Sequence, residues 1–179
     1  MRTVVALTSI ALIACASGNV DPTASGRPES QAIVRGANLR MTAAAKPHVT
    51  TVAFSVDPVW RALPAVYDSL GLPLTVMDTK QHLIGNQGVT LRQKLGGVRL
   101  SKYIECGNAQ IGLSADSYDV FLSVVTHVRP NDPVGTDIVT TVDAAAKPMT
   151  FSQEYSRCST TGEIEKRIAE LVTATFLRK

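Results

Sequence analysis

Beyond its first fourteen residues the chain has no apolar run approaching the roughly 20 residues a membrane span needs, so the body reads as soluble. It also lacks an excess of either charge. Eighteen basic against 15 acidic residues give a formal net charge of +3. That near-balance argues against nucleic acid, whose binders concentrate positive charge. There is no internal repeat and no Gly-x-Ser-x-Gly elbow for serine-hydrolase chemistry. Gly85-Asn86-Gln87-Gly88 lacks the lysine and following helix of a phosphate loop, so a bulge or a turn is expected there. These absences lead us to expect no enzyme activity and no cofactor.

Histidines are scarce as well. His48, His82 and His127 show no His-x-x-x-His spacing and no accompanying carboxylate cluster, so no metal site is expected. His127 falls on the solvent phase of a strand pattern. Pairing it with Cys158 as base and nucleophile requires a free thiolate. Asp116 and Asp119 are near enough in sequence to share a cation, though solvated loop carboxylates are the expectation. One basic group stands out: Arg92, Lys94, Arg99 and Lys102, flanking Gly96-Gly97. It suits anionic lipid, lipopolysaccharide or an acidic partner, against the simpler reading of a solvated rim on a hairpin end.

What the chain does have begins at its start. Met1-Arg2 is positive, and Val4 to Ala14 is apolar apart from Thr8 and Ser9. Eleven residues rise only about 16 Å as a helix, which is signal-peptide length. The segment closes on Leu12-Ile13-Ala14-Cys15, which resembles the lipobox of bacterial lipoproteins. The resemblance implies that residues 1–14 are removed and that Cys15 becomes a lipidated N-terminus, the alternative being an ordinary secretory cleavage near Ala14-Cys15-Ala16. Ala16, in place of Asp, implies sorting to the outer membrane, with the body in the periplasm. Several acyl chains at ~0.8 kcal/mol per buried methylene give stable anchoring.

With Cys15 lipidated, two cysteines remain, Cys106 and Cys158. In an oxidising compartment an even pair most simply forms a disulfide. Two separate buried thiols, or a metal pair completed by histidine, are the alternatives.

Residues 16–31 are small, polar and broken by Pro and Gly, the composition of a tether. The expected organisation is therefore a signal peptide over 1–14, lipidated cysteine and tether over 15–48, and one globular domain over 49–179.

Within that domain Val52, Phe54 and Val56 alternate as a half-buried strand. Asp57-Pro58 predicts a helix N-cap and first-turn proline. Val59, Leu63, Val66 and Leu70 follow at helical spacing to Gly71, with Pro64 set to bend or split the helix. Short strands are expected over 74–77, 82–84 and 89–91, one helical turn within 98–105, and a loop over 107–116. Tyr118 to Val128 alternates for eleven residues, the strongest strand signal in the chain. Arg129 to Gly135 reads as its turn, Ile138 to Ala144 as its partner, and Met149 to Tyr155 as one further strand. Thr160-Thr161-Gly162-Glu163 matches a capping box opening a last helix to about Phe176.

Together these predict an α+β fold: an antiparallel sheet with two helices on one face, a helix-grip arrangement. Trp60 to Leu91, an amphipathic tryptophan-bearing helix, Leu-Gly and a hairpin, resembles the domains of BamC-type outer-membrane assembly lipoproteins. That resemblance implies surfaces for partner proteins and no active-site residues. Two functions are carried forward. One is a non-enzymatic, lipid-anchored envelope module that binds a protein partner. The other is a carrier or sensor of a small apolar ligand held between sheet and helix, lined by Val120, Leu122 and Val124. A core closed by Trp60 and Leu171 favours the first, and a cavity open to solvent favours the second.

Overall fold

The computed structural model describes residues 46–110, 112–133, 135–149 and 155–177. Cys15, most of the expected tether and residues 150–154 lie outside them. The element order is β1 (His48–Val52), α1 (Val56–Ser69), β2 (Val76–Asp78), β3 (Leu83–Arg92), β4 (Lys94–Leu95) and β5 (Val98–Arg99). A 3-10 turn (Leu100–Lys102) leads to β6 (Ile104–Glu105), β7 (Asn108–Ala109), β8 (Gly112–Leu113) and α2 (Ser114–Ser117). Then come β9 (Asp119–Asn131), β10 (Gly135–Lys147), β11 (Ser156–Thr160) and α3 (Glu163–Leu177).

The chain is α+β, as its patterning predicts. Seven strands form one antiparallel sheet in the order β2-β3-β9-β10-β11-β6, with β1 also on β10. Strands β9 and β10 pair over their full length, from Asp119 opposite Lys147 to Asn131 opposite Gly135. One flank of β10 is shared. Thr136 to Thr140 take β1, and Ala144 to Ala146 take β11.

Period-2 alternation decides which face is buried. Val120, Leu122, Val124 and Val128 of β9 and Ile138, Val142, Ala144 and Ala146 of β10 belong to a single core cluster. Val59, Leu63, Val66 and Tyr67 of α1 and Ile164, Ile168 and Val172 of α3 complete it. Each large aliphatic side chain fully buried there contributes about 1.5–3 kcal/mol. Trp60 is buried and Leu171 packs against the cluster, so the space between helices and sheet is closed. Val120, Leu122 and Val124 face that core, where they line no open chamber.

Several boundaries differ from the sequence reading. Strand β1 ends at Val52 because Phe54 leaves the sheet to stack on Phe176, ring centroids 4.4 Å apart. The Thr136 hydroxyl, donating to the Phe54 carbonyl at 2.6 Å, fixes that exit. Helix α1 therefore caps at Ser55, and Asp57 and Pro58 fall inside its first turn. Pro58 is tolerated there because first-turn N–H groups have no intrahelical partner. Pro64 does not split α1, which runs unbroken over 14 residues. The helix ends in a Schellman arrangement, Leu72 N–H to Tyr67 O and Gly71 N–H to Asp68 O, with Gly71 at φ +70°.

Of the bulge and the turn that Gly85 to Gly88 allows, the structure has the bulge. Strand β3 passes through it with a register shift between Asn86 and Val89 opposite β9. Asn86 is buried, its amide donating to the Pro73 carbonyl and its Oδ1 accepting from Gly88 N–H. Gly88 leaves room for the Phe121 ring, which a Cβ there would strike. The expected loop at 107–116 contains the β7–β8 ribbon and the one-turn helix α2. At α3, Thr160 Oγ1 accepts from Gly162 N–H and donates to the Glu165 carboxylate, so the answering glutamate is Glu165 and not Glu163.

A polar chain crosses the core. The Tyr67 hydroxyl lies 2.9 Å from Thr126 Oγ1, which lies 3.0 Å from Thr140 Oγ1. All three residues are at most 1% exposed. Burial pushes the Tyr67 phenol well above its ordinary pKa, the Thr126 bond opposing only in part, so the group stays a neutral donor. Removing the Tyr67 hydroxyl takes one partner from Thr126, which keeps Thr140, so the cost is that of one net hydrogen bond, about 0.5–1.5 kcal/mol. Tyr67→Phe should therefore lower unfolding free energy by about that amount in urea denaturation, and an unchanged midpoint would contradict the network's role.

Candidate functional site

The bridge expected between Cys106 and Cys158 is present. It sits where the β6–β11 ladder predicts a facing pair: Thr160 opposes Ile104, Ser159 opposes Glu105, and the next position brings Cys158 to Cys106. It thus fastens the outermost strand pair, with Cys158 on the strand before α3. Its 52-residue separation gives about 4 kcal/mol in a chain-entropy treatment. The bridge also removes any thiolate from Cys158. That cysteine belongs to the core cluster, whereas His127 lies on the opposite sheet face, so the two form no dyad.

The basic group and the two aspartates, unconnected in sequence reading, answer each other in space. Arg92 Nε meets Asp119 Oδ1 at 2.5 Å across the β3–β9 pair. Arg99 lies 3.7 Å from Asp116, whose carboxylate also accepts from the Ser101 amide (3.0 Å) and hydroxyl (2.8 Å). Asp116 thereby caps the 3-10 turn. Lys94 opposes Arg99 on β4–β5, and Lys102 follows on that turn. Among the described residues no carboxylate pairs with Lys94 or Lys102. The patch is thus half neutralised, and because its ion pairs are exposed and screened they add little to stability.

The three histidines are not gathered into one site. His48 opens β1, His82 meets the Trp60 ring edge-on (centroids 5.4 Å), and His127 opposes Leu83. Among the described residues no group of three His, Cys, Asp or Glu side chains is placed to hold a metal ion.

Two surfaces remain as candidates. The first is the sheet face away from the helices, carrying Val125, His127, Val139 and Thr141, all half-buried. Polar pairs border it: Asp143 with Arg157 (3.3 Å), Lys147 against the Tyr155 ring (4.9 Å), and Asp137 held by Thr51 (2.7 Å) and Asn131 (2.8 Å). Burial raises the Asp143 pKa, with Arg157 opposing; bonds from Thr51 and then Asn131 lower that of Asp137. The second is a groove of about 660 Å³ between β1 and α3, lined by Thr50, Val52, Lys166, Ala169, Glu170 and Leu177 among others. Sequence reading missed this groove, since its walls lie more than a hundred residues apart; the strand and helix patterns do not predict how far apart they sit.

These arrangements define an α+β domain with surfaces and a closed interior. Comparison with protein-family models and with curated proteins finds no match.

Burial first, then the charge of Arg129, lowers the His127 pKa, with the Gln81 backbone opposing and His82 adding to the fall. A histidine harder to protonate when folded makes stability rise with pH up to its unfolded value, near 6.5. Unfolding free energy should therefore decline on acidification below about pH 6.5, less steeply in His127→Gln. Identical pH slopes for the two proteins would contradict this assignment.

Proposed function

We propose that the chain is a non-enzymatic, lipid-anchored protein of the cell envelope that acts as a protein-interaction module, held at the outer membrane with its domain in the periplasm. The observation that carries this reading is the contrast between the two sheet faces. One is closed under α1 and α3; the other, around Val125 and Thr141, bears no described helix. A half-buried sheet face with no described helix over it suits a partner protein better than a reaction, because it offers contact area without an enclosed site. The disulfide fits an oxidising compartment, and the lipobox resemblance at Cys15 supplies the anchor. The likeness of Trp60 to Leu91 to BamC-type domains points to the same class, without naming a complex.

The carrier reading loses its proposed chamber, since Val120, Leu122 and Val124 are fully buried. The groove beside α3 is open and carries Lys166 and Glu170 on its wall, which suits an apolar ligand poorly.

A photoreactive residue at Val125, in the full chain in its own cells, should give a discrete protein adduct. Cys15→Ala should abolish both fatty-acid labelling and that adduct. Labelling unchanged in Cys15→Ala would remove the anchor from the account. A photoreaction yielding nothing above background would remove the partner-binding face.

A further inference from the structure

The three outer strands of the sheet are not equally protected. Exposed strand edges invite pairing with another chain, and proteins blunt them by shortness, charge, proline or covering. Strand β2 has three residues and ends in Asp78, whose carboxylate accepts the Lys80 and Gln81 amides of the next turn. Strand β6 has two residues, ends in Glu105, and lies beside the Cys106–Cys158 bridge. Strand β1 has neither device. Its five residues, His-Val-Thr-Thr-Val, include no acidic or lysine side chain, proline or glycine. Four of the five are β-branched, the residue type that suits a paired strand. One side of β1 pairs with β10, and no described strand lies on the other.

We propose that this edge pairs with the same edge of a second copy, making an isologous dimer with one continuous antiparallel sheet. The sequence of β1 is self-complementary about Thr50. Antiparallel pairing sets Thr50 against its counterpart, Val49 against the partner copy's threonine at position 51, and His48 against the valine at 52. Facing residues then share a sheet side, because Val49 and Thr51 lie on the face away from the helices and His48, Thr50 and Val52 on the other. Cross-strand pairs of β-branched residues are favourable in this geometry.

Charge on the groove wall agrees. Two-fold symmetry runs the two copies of α3 antiparallel on the same side of the joined sheet. Lys166 of each copy then approaches the glutamate at position 170 of the other, twice over. Within one chain Glu170 is shared between Lys166 at 3.9 Å and Arg167 at 3.6 Å, all three side chains at least half exposed, so Lys166 can turn to a second carboxylate while Arg167 stays beside Glu170. Ala169 and Ala174, between and beyond them on the groove wall, leave room for close approach. The inference is independent of the anchoring and partner-binding reading above.

Thr50→Cys in the full chain, mildly oxidised in its own membranes, should give a covalent species at twice the monomer mass. The parent chain, which retains Cys15, and Met77→Cys on the β2 edge should not. No adduct at position 50, or an adduct with a different protein, would overturn the proposal. Sedimentation equilibrium of the full chain in detergent supplies the second arm. Lys166→Glu and Glu170→Lys should each weaken dimerisation by about five-fold or more, and the double variant should restore it. Single reversals without effect, or a double variant as weak as either, would overturn it as well.

Discussion

Everything in this fold leans on the pairing of β9 with β10. Thirteen residues of each strand face one another without a break in register, and the other main elements attach to that ribbon. Strand β3 lies along β9, β1 and β11 divide the flank of β10, and α1 and α3 pack on its apolar side. Because side chains alternate strictly across a strand, a slip of one residue would turn the whole apolar set toward water. The ribbon thus fixes both which face is core and which is surface. Tyr67 marks the same choice from the helix side, since its hydroxyl finds Thr126 and Thr140 only in this register.

How much of this was legible in the sequence depends on how far apart the deciding groups lie. The alternation from Tyr118 to Val128 and the 3.6-residue repeat from Ile164 to Val172 are local, and they placed the two elements that matter most. The even cysteine count likewise indicated the bridge. Local patterning was ambiguous wherever two rules competed. Asp57-Pro58 satisfies the local signature of a helix start, and the departure of Phe54 to stack on Phe176 moves the cap to Ser55. Gly85 to Gly88 suits a turn or a bulge equally, and only the pairing of β3 with β9 selects the bulge. Arg92 and Asp119 are 27 residues apart, so the mutual neutralisation of the basic and acidic groups had no local signal. Thr126 and Thr140 sat in core phase within their strands, and that phase was the one available sign of a buried polar network.

The same geometry bears on function by elimination and by offering surface. Cys158 is bridged, His127 faces away from it, and the carboxylates at 116 and 119 are engaged by Arg99, Ser101 and Arg92. Among the described residues the interior holds apolar side chains, the hydroxyl chain from Tyr67 to Thr140, and further hydrogen-bonded polar groups such as Asn86 and Glu165. Among the described residues the molecule presents a half-buried sheet face around Val125 and Thr141 with no helix over it, a half-neutralised basic rim and a strand edge beside α3 with no strand on it. Those are means of association. On the membrane-held tether that we propose, they would support a protein that works through what it binds.

The central claim is that the space between sheet and helices holds no ligand and that the domain works through its exterior. Native mass spectrometry of the full chain, purified gently from its own membrane, tests this most directly. The account predicts a mass explained by polypeptide and covalent lipid alone, with organic extraction releasing no stoichiometric small molecule. One equivalent of an apolar compound retained per chain, lost when Leu122 or Val124 is enlarged, would contradict it.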